Sequence, residues 1–142
     1  DFNMYNAKKE AKISVENLVI IGFVTVITIP LIVIYYSFVQ DSSDEIASAQ
    51  IIQIAKKVVD AAESVYYLGA PSQTTLRVNI PNNVVSANLS DYEVVFKIKT
   101  KAGLVDIVQI SNVNITGSLP TNMSTYLITI KAESNHVNVT YR

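Results

Sequence analysis

The chain has 142 residues, with 11 basic and 12 acidic side chains, one histidine and no cysteine. A balance so close to neutral lacks the basic footprint of a nucleic-acid groove, and the missing cysteines exclude disulfides and thiolate metal sites. The length leaves room for one long helix and one compact domain of about 75 residues with a small core. Because Asp1 stands where a start methionine would, residues upstream are expected to have been removed, leaving a processed form.

Residues 1–12, DFNMYNAKKEAK, are polar and place Lys8, Lys9 and Lys12 just ahead of an apolar run. Basic residues at that point mark the cytoplasmic flank of a membrane helix, so the expected orientation is N-in, C-out. The run itself, LVIIGFVTVITIPLIVIYYSFV from Leu18 to Val39, contains no charge. About 20 such residues in a helix span the hydrocarbon of a bilayer, which makes this a transmembrane candidate. Within it Gly22 permits close helix approach, and Thr25, Thr28 and Ser37 can return their hydroxyls to helix carbonyls. Pro30 predicts a kink. Tyr35 and Tyr36, at the outer end, suit either a membrane-interface belt or packing between helices.

Beyond Val39, DSSDEIASAQIIQIAKKVVDAAESVYYL continues at helical spacing. The expected stripe is Ile46, Ala49, Ile52 or Gln53, Ala55 or Lys56, Val59, Ala62 and Tyr66. Gly69 and Pro71 end the helix. A helix from about 13 to 68 would be a rod of roughly 80 Å. Its stripe outruns a bilayer, so neighbouring copies are expected to help cover it, a small sheet covering one side at most.

Residues 72–142 read as strands. TTLRVNI, YEVVFKIK, TYLITIKA and HVNVTYR alternate apolar with polar side chains, as a half-exposed antiparallel sheet requires. In the second of these Val94, Phe96 and Ile98 share one face while Glu93, Lys97 and Lys99 share the other. LVDIVQI, 104–110, is apolar on both faces, which fits a central strand between sheet and helix or one lying between subunits. The turns are Pro81-Asn82-Asn83, Lys101-Ala102-Gly103, Gly117-Ser118-Leu119-Pro120 and Glu133-Ser134-Asn135. The domains expected are therefore 1–12, a polar basic segment; 13–68, a long hydrophobic helix; and 72–142, a β-rich domain. The fold class is α+β, a long N-terminal helix followed by a C-terminal antiparallel β-sandwich-like domain.

The stretch KISVENLVIIGF, residues 12–23, resembles the Q-x-S-x-E-x-L junction of archaeal type IV pilins with class III signal peptides. Ser14, Glu16 and Leu18 match that pattern, and Lys12 stands at the glutamine position. AAESVYYLGAPSQTTLRVNIP is similar to the helix-to-strand junction of the same pilins, so the resemblance covers about the first 80 residues. It implies a lollipop-shaped subunit of an extracellular adhesion filament: a membrane protein before assembly, matured by a prepilin peptidase and extruded by an ATPase-driven platform into a homopolymer of many copies. It also implies an assembly helix that includes Glu16, Leu18, Gly22, Phe23, Pro30, Tyr35, Tyr36 and Phe38. Cleavage just before Lys12 would make Glu16 the fifth mature residue. Cleavage before Asp1 would keep an N-terminal extension and leave Glu16 to pair with Lys12 or with a lysine of another subunit.

Assembly of such a helix calls for work, because lipid tails are as apolar as a protein bundle and packing alone supplies the difference. Once outside, return to water would expose large aliphatic and Phe side chains at roughly 1.5–3 kcal/mol each, an upper bound of about 20 to 45 kcal/mol per subunit. Four N-glycosylation sequons lie in the strand region, at Asn88, Asn114, Asn122 and Asn138. Glycans there would add solubility and block sheet edges.

Nothing in the sequence predicts catalysis or a cofactor. His136 has no cysteine or carboxylate pair at ligand spacing, so a structural or surface role is expected. Asp41, Asp44 and Glu45 read as a solvated face or local bend rather than a calcium site. Asp106, among apolar neighbours, is expected to form an interfacial ion pair with Arg77 or a lysine. The alternative to the filament subunit is a monomeric single-pass protein that displays a β-domain for cell-surface binding. The apolar stripe beyond residue 40 is the feature expected to separate the two.

Overall fold

The computed structural model describes Asp1–Arg142. Its elements run α1 Phe2–Leu68, β1 Gln73–Ile80, β2 Val84–Ser90, β3 Glu93–Thr100, β4 Gly103–Ile110, β5 Ile115–Gly117, β6 Ser124–Ala132 and β7 Val137–Tyr141. A long N-terminal helix followed by a sheet domain is the α+β class expected. The helix starts earlier than residue 13, because Ala7, Lys8, Lys9, Glu10, Ala11 and Lys12 are all strong helix formers. It continues through Pro30, whose missing N–H leaves the Val26 carbonyl without its intrahelical donor. Gly69, at φ +88°, closes it, donating its N–H to the carbonyls of Val65 and Tyr66.

The chain forms two compact units, Asp1–Asp41 and Ser42–Arg142. The first is helical and every side chain in it is exposed. The second contains the remainder of α1 and all seven strands. The last part of the helix therefore belongs with the β-domain rather than with the apolar run.

In the second unit the strands make two sheets, ordered β1-β6-β7-β5 and β2-β3-β4. Pairing is antiparallel except between β5 and β7, which run parallel from Ile115 opposite Val137 to Gly117 opposite Val139. One core joins the inner faces of both sheets to the helix. Val94, Phe96 and Ile98 enter it from β3, Ile128 and Ile130 from β6, and Val137 and Val139 from β7. The helix contributes Ile51, Ile54, Ala55, Val58, Val59, Ala62 and Val65. This stripe shares Ala55, Val59 and Ala62 with the one the sequence predicts, and departs from it toward the N-terminal end. Ile46, Ala49 and Ile52 are exposed, because consecutive apolar residues such as Ile51-Ile52 and Val58-Val59 leave the phase of the periodicity open until the sheets select a side. Between Ile51 and Val65 the stripe is thus covered by the chain's own strands, while Ile46 and Ile52 stay exposed.

Two strands were not foreseen. In β2, Ser86, Ala87 and Asn88 are weak strand formers, and a register shift between Val84 and Ser86 breaks the alternation. The short β5 is held by its neighbour β7. Its Gly117 sits at φ +119°, and a Cβ there would collide with the Val139 carbonyl, so glycine is required by both backbone and space. The reading of 104–110 as a central strand is corrected: β4 is the edge of the three-stranded sheet, with Leu104, Val105, Val108 and Ile110 exposed. Its apolar character does not report burial within the chain.

Candidate assembly surfaces

The first surface is the helix of the N-terminal unit. From Leu18 to Val39 apolar side chains point outward on every face, and Leu18, Phe23 and Phe38 are 71, 67 and 71% exposed. A helix apolar all round must be buried by lipid or by other chains. This one is long and apolar enough to cross a membrane. Thr25 and Thr28 donate their hydroxyls to the carbonyls of Ile21 and Val24, at 2.8 and 2.7 Å, so neither demands an outside partner. Beyond the helix's own adjacent backbone, nothing lies within 4 Å of where a Cβ on Gly22 would sit, which leaves a flat spot for another helix. Tyr35 and Tyr36 meet edge to face, ring centres 6.0 Å apart, and both are exposed.

Ahead of this run Tyr5, Lys8, Lys9 and Lys12 fall at helical spacing on one face and line a shallow depression. Ser14 and Glu16 are exposed. Lys12 and Glu16 are one turn apart, yet no ion pair joins them, correcting the expectation of an intrachain partner. Lysine preceding glutamate is the less favourable order on a helix, and both side chains are exposed, where such a pair gains little.

The second surface is the β-domain. Asn88 in β2 and Asn122 in the bend before β6 are exposed, whereas Asn138 is half-buried in β7, between β6 and β5. Asn114 precedes β5 rather than lying within it, and its Oδ1 is buried without a hydrogen-bond partner. The four sequons therefore differ in access, a distinction that needs three-dimensional structure to see.

Two acidic residues of the helix serve the fold. Asp44 Oδ2 accepts the Lys101 N–H at 2.7 Å, and Glu63 Oε1 accepts the Asn112 N–H at 2.9 Å. These two bonds tie the backbone on either side of β4 to α1, and no local sequence pattern announces them. His136 lies in the β6–β7 turn, where its carbonyl accepts the Glu133 N–H at 2.8 Å. Asp106 pairs with a lysine, as one of the expected alternatives had it, but the lysine is Lys97 on the neighbouring strand, at 3.9 Å. With the two side chains 41 and 57% exposed, that contact is weak.

The free edges are unequal. β2 carries an irregularity and an exposed sequon, β5 is three residues long, and these two strands pass close to each other. β1 presents Gln73, Thr75, Arg77 and Asn79 to solvent, while β4 presents Leu104, Asp106, Val108 and Ile110. A long apolar edge with no proline, bulge or lysine on it is a site prone to strand pairing. Comparison of the chain with family models, curated proteins and solved structures returns no match.

Proposed function

We propose that this chain is a structural subunit of an extracellular filament resembling archaeal type IV pili, polymerising through its N-terminal helix and serving surface adhesion. The observation that carries this reading is the helix from Leu18 to Val39, apolar and exposed on all sides, entered through Ser14, Glu16 and Leu18. In the filament, Leu18, Gly22, Phe23, Pro30, Tyr35, Tyr36 and Phe38 pack against the helices of other copies. Before assembly the same residues lie in the cytoplasmic membrane, N-in and C-out, with the lysine face of residues 8–12 on the cytoplasmic side. Prepilin peptidase and an assembly ATPase are its processing and export partners. Glu16, lacking an intrachain partner, is available to a cationic group of a neighbouring subunit, and the outer domain carries glycans at its exposed sequons.

One finding favours the second reading, a monomeric single-pass membrane anchor that displays the β-domain. The stripe of residues 51–65 is buried against the chain's own sheets, so the β-domain's core needs no other subunit.

Electron microscopy of material sheared from the cell surface, with mass spectrometry of the main band, separates the two. Filaments made of this chain are the expected result. Recovery of the chain as a detergent-soluble monomer, with no filaments, rejects the subunit reading in favour of the anchor.

A further inference from the structure

In antiparallel sheets, paired residues alternate between exchanging both backbone hydrogen bonds and exchanging none. The Ser111 N–H donates to the Tyr92 carbonyl at 2.7 Å, which fixes that alternation along β3 and β4. Gln109, Ile107 and Val105 then bond to β3, and the N–H and C=O groups of Leu104, Asp106, Val108 and Ile110 face away from the sheet. On the other sheet the Ala132 N–H donates to the Ser72 carbonyl at 2.8 Å. By the same alternation Thr74, Leu76, Val78 and Ile80 bond to β6, and Gln73, Thr75, Arg77 and Asn79 present their backbone groups outward.

Each open edge thus offers two-residue spacing, matched length, and outward backbone groups on the same residues whose side chains meet solvent. Laid antiparallel, the two edges fall into one register, with Gln73 opposite Ile110, Thr75 opposite Val108, Arg77 opposite Asp106 and Asn79 opposite Leu104. The single charge on the outward residues of β4 then meets the single charge on those of β1. Beside Arg77 and Asn79 a shallow cleft of about 160 Å³, lined also by Gln50, Gln53 and Lys57, adds a second cation near the incoming carboxylate. Pairing β4 with another β4 would leave Asp106 without a cation from the partner and would close a dimer.

We propose that β4 of one copy of this chain adds antiparallel to β1 of the next, with Asp106 against Arg77. The inference rests on the filament reading and extends it: the outer domains are stitched edge to edge, in addition to the packing of the apolar helices. Because the contact joins two different edges, each copy keeps one edge free for the next, which is the kind of contact a fibre uses when its rotation does not close a ring. Backbone hydrogen bonds supply the attachment and the charged pair sets the register. Asp106 gives up its exposed contact with Lys97, which costs little.

The absence of native cysteines makes the test direct. Full-length chain carrying Thr75→Cys and Val108→Cys is expressed in its own cells, oxidised on the cell surface, and run on a non-reducing gel, with electron microscopy of the same sample. Residues opposite one another in a hydrogen-bonded pair lie about 5.5 Å apart at Cα, within disulfide reach. The expected result is a ladder of dimers, trimers and higher species, with each single cysteine variant remaining monomeric. In the same background Arg77→Asp or Asp106→Arg lowers the ladder about three- to tenfold, and the two together restore it. Filaments without a ladder overturn the strand pairing and leave the filament reading standing. A ladder without filaments supports the pairing and rejects the filament reading, and loss of both rejects both. Dimers formed by Val108→Cys alone reveal a β4–β4 contact and also overturn the proposal.

Discussion

Residues 18–39 and residues 42–68 belong to one helix but dispose of apolar surface in opposite ways. The second stretch concentrates it on one stripe, from Ile51 to Val65, and buries that stripe under two sheets. The first spreads it over every face and buries none. An amphipathic helix is satisfied by its own domain, whereas a helix apolar all round is satisfied only by lipid or by other chains. Burial within the chain and burial by lipid or other chains therefore fall to different parts of one element, and substitutions can address them separately.

The largest separation comes from the core. Phe96→Ala empties a fully buried aromatic site and is expected to lower the stability of the β-domain by about 3 to 5 kcal/mol. Urea unfolding of the full chain in detergent reads this loss, while the fraction that floats with membranes stays constant. Ile27→Lys is the converse. It places a charge in the middle of the apolar run, at about 3 kcal/mol against membrane insertion, and flotation falls with no change in the urea midpoint. Should Ile27→Lys shift that midpoint as well, the two stretches are not independent.

Smaller substitutions sharpen the picture within the β-domain. Gly117→Ala forces a side chain into the Val139 carbonyl from a backbone conformation that favours glycine, for about 1 to 3 kcal/mol in the same unfolding experiment. Asp44→Ala removes the acceptor for the Lys101 N–H; a loss of about 1 kcal/mol is expected, along with faster amide exchange confined to the β3–β4 turn. Asp106→Asn should cost less than about 0.5 kcal/mol, since its contact with Lys97 is exposed. A larger loss would mean that this pair holds the edge strand in place.

How much of this was legible in the sequence follows from what each signal encodes. The apolar run, the cap at Gly69 and the alternating strands β1, β3, β6 and β7 were legible because each is specified by local chemistry. Strand β2 was obscured by its irregularity and β5 by its brevity. The helix stripe is legible at Ala55, Val59 and Ala62 but not at Ile46, Ala49 and Ile52, because neighbouring isoleucines and valines offer several faces and the sheets choose among them. For β4 the sequence leaves a central strand and a strand between subunits both open, because apolar residues on both faces ordinarily signal burial and one sequence does not say within which molecule the burial occurs. The ties from Asp44 and Glu63 to distant turns depend on tertiary placement and have no local signature.

The buried carbonyl oxygen of Asn114 has a consequence for the timing of biosynthesis. An enzyme that attaches a sugar must grasp the whole acceptor amide, which is possible here while the chain preceding β5 is still unpaired. Asn88 and Asn122 remain reachable after the domain has closed. A sugar on Asn114 would therefore serve as a date stamp, recording that transfer came before folding, whereas sugars on the two open sites carry no such record.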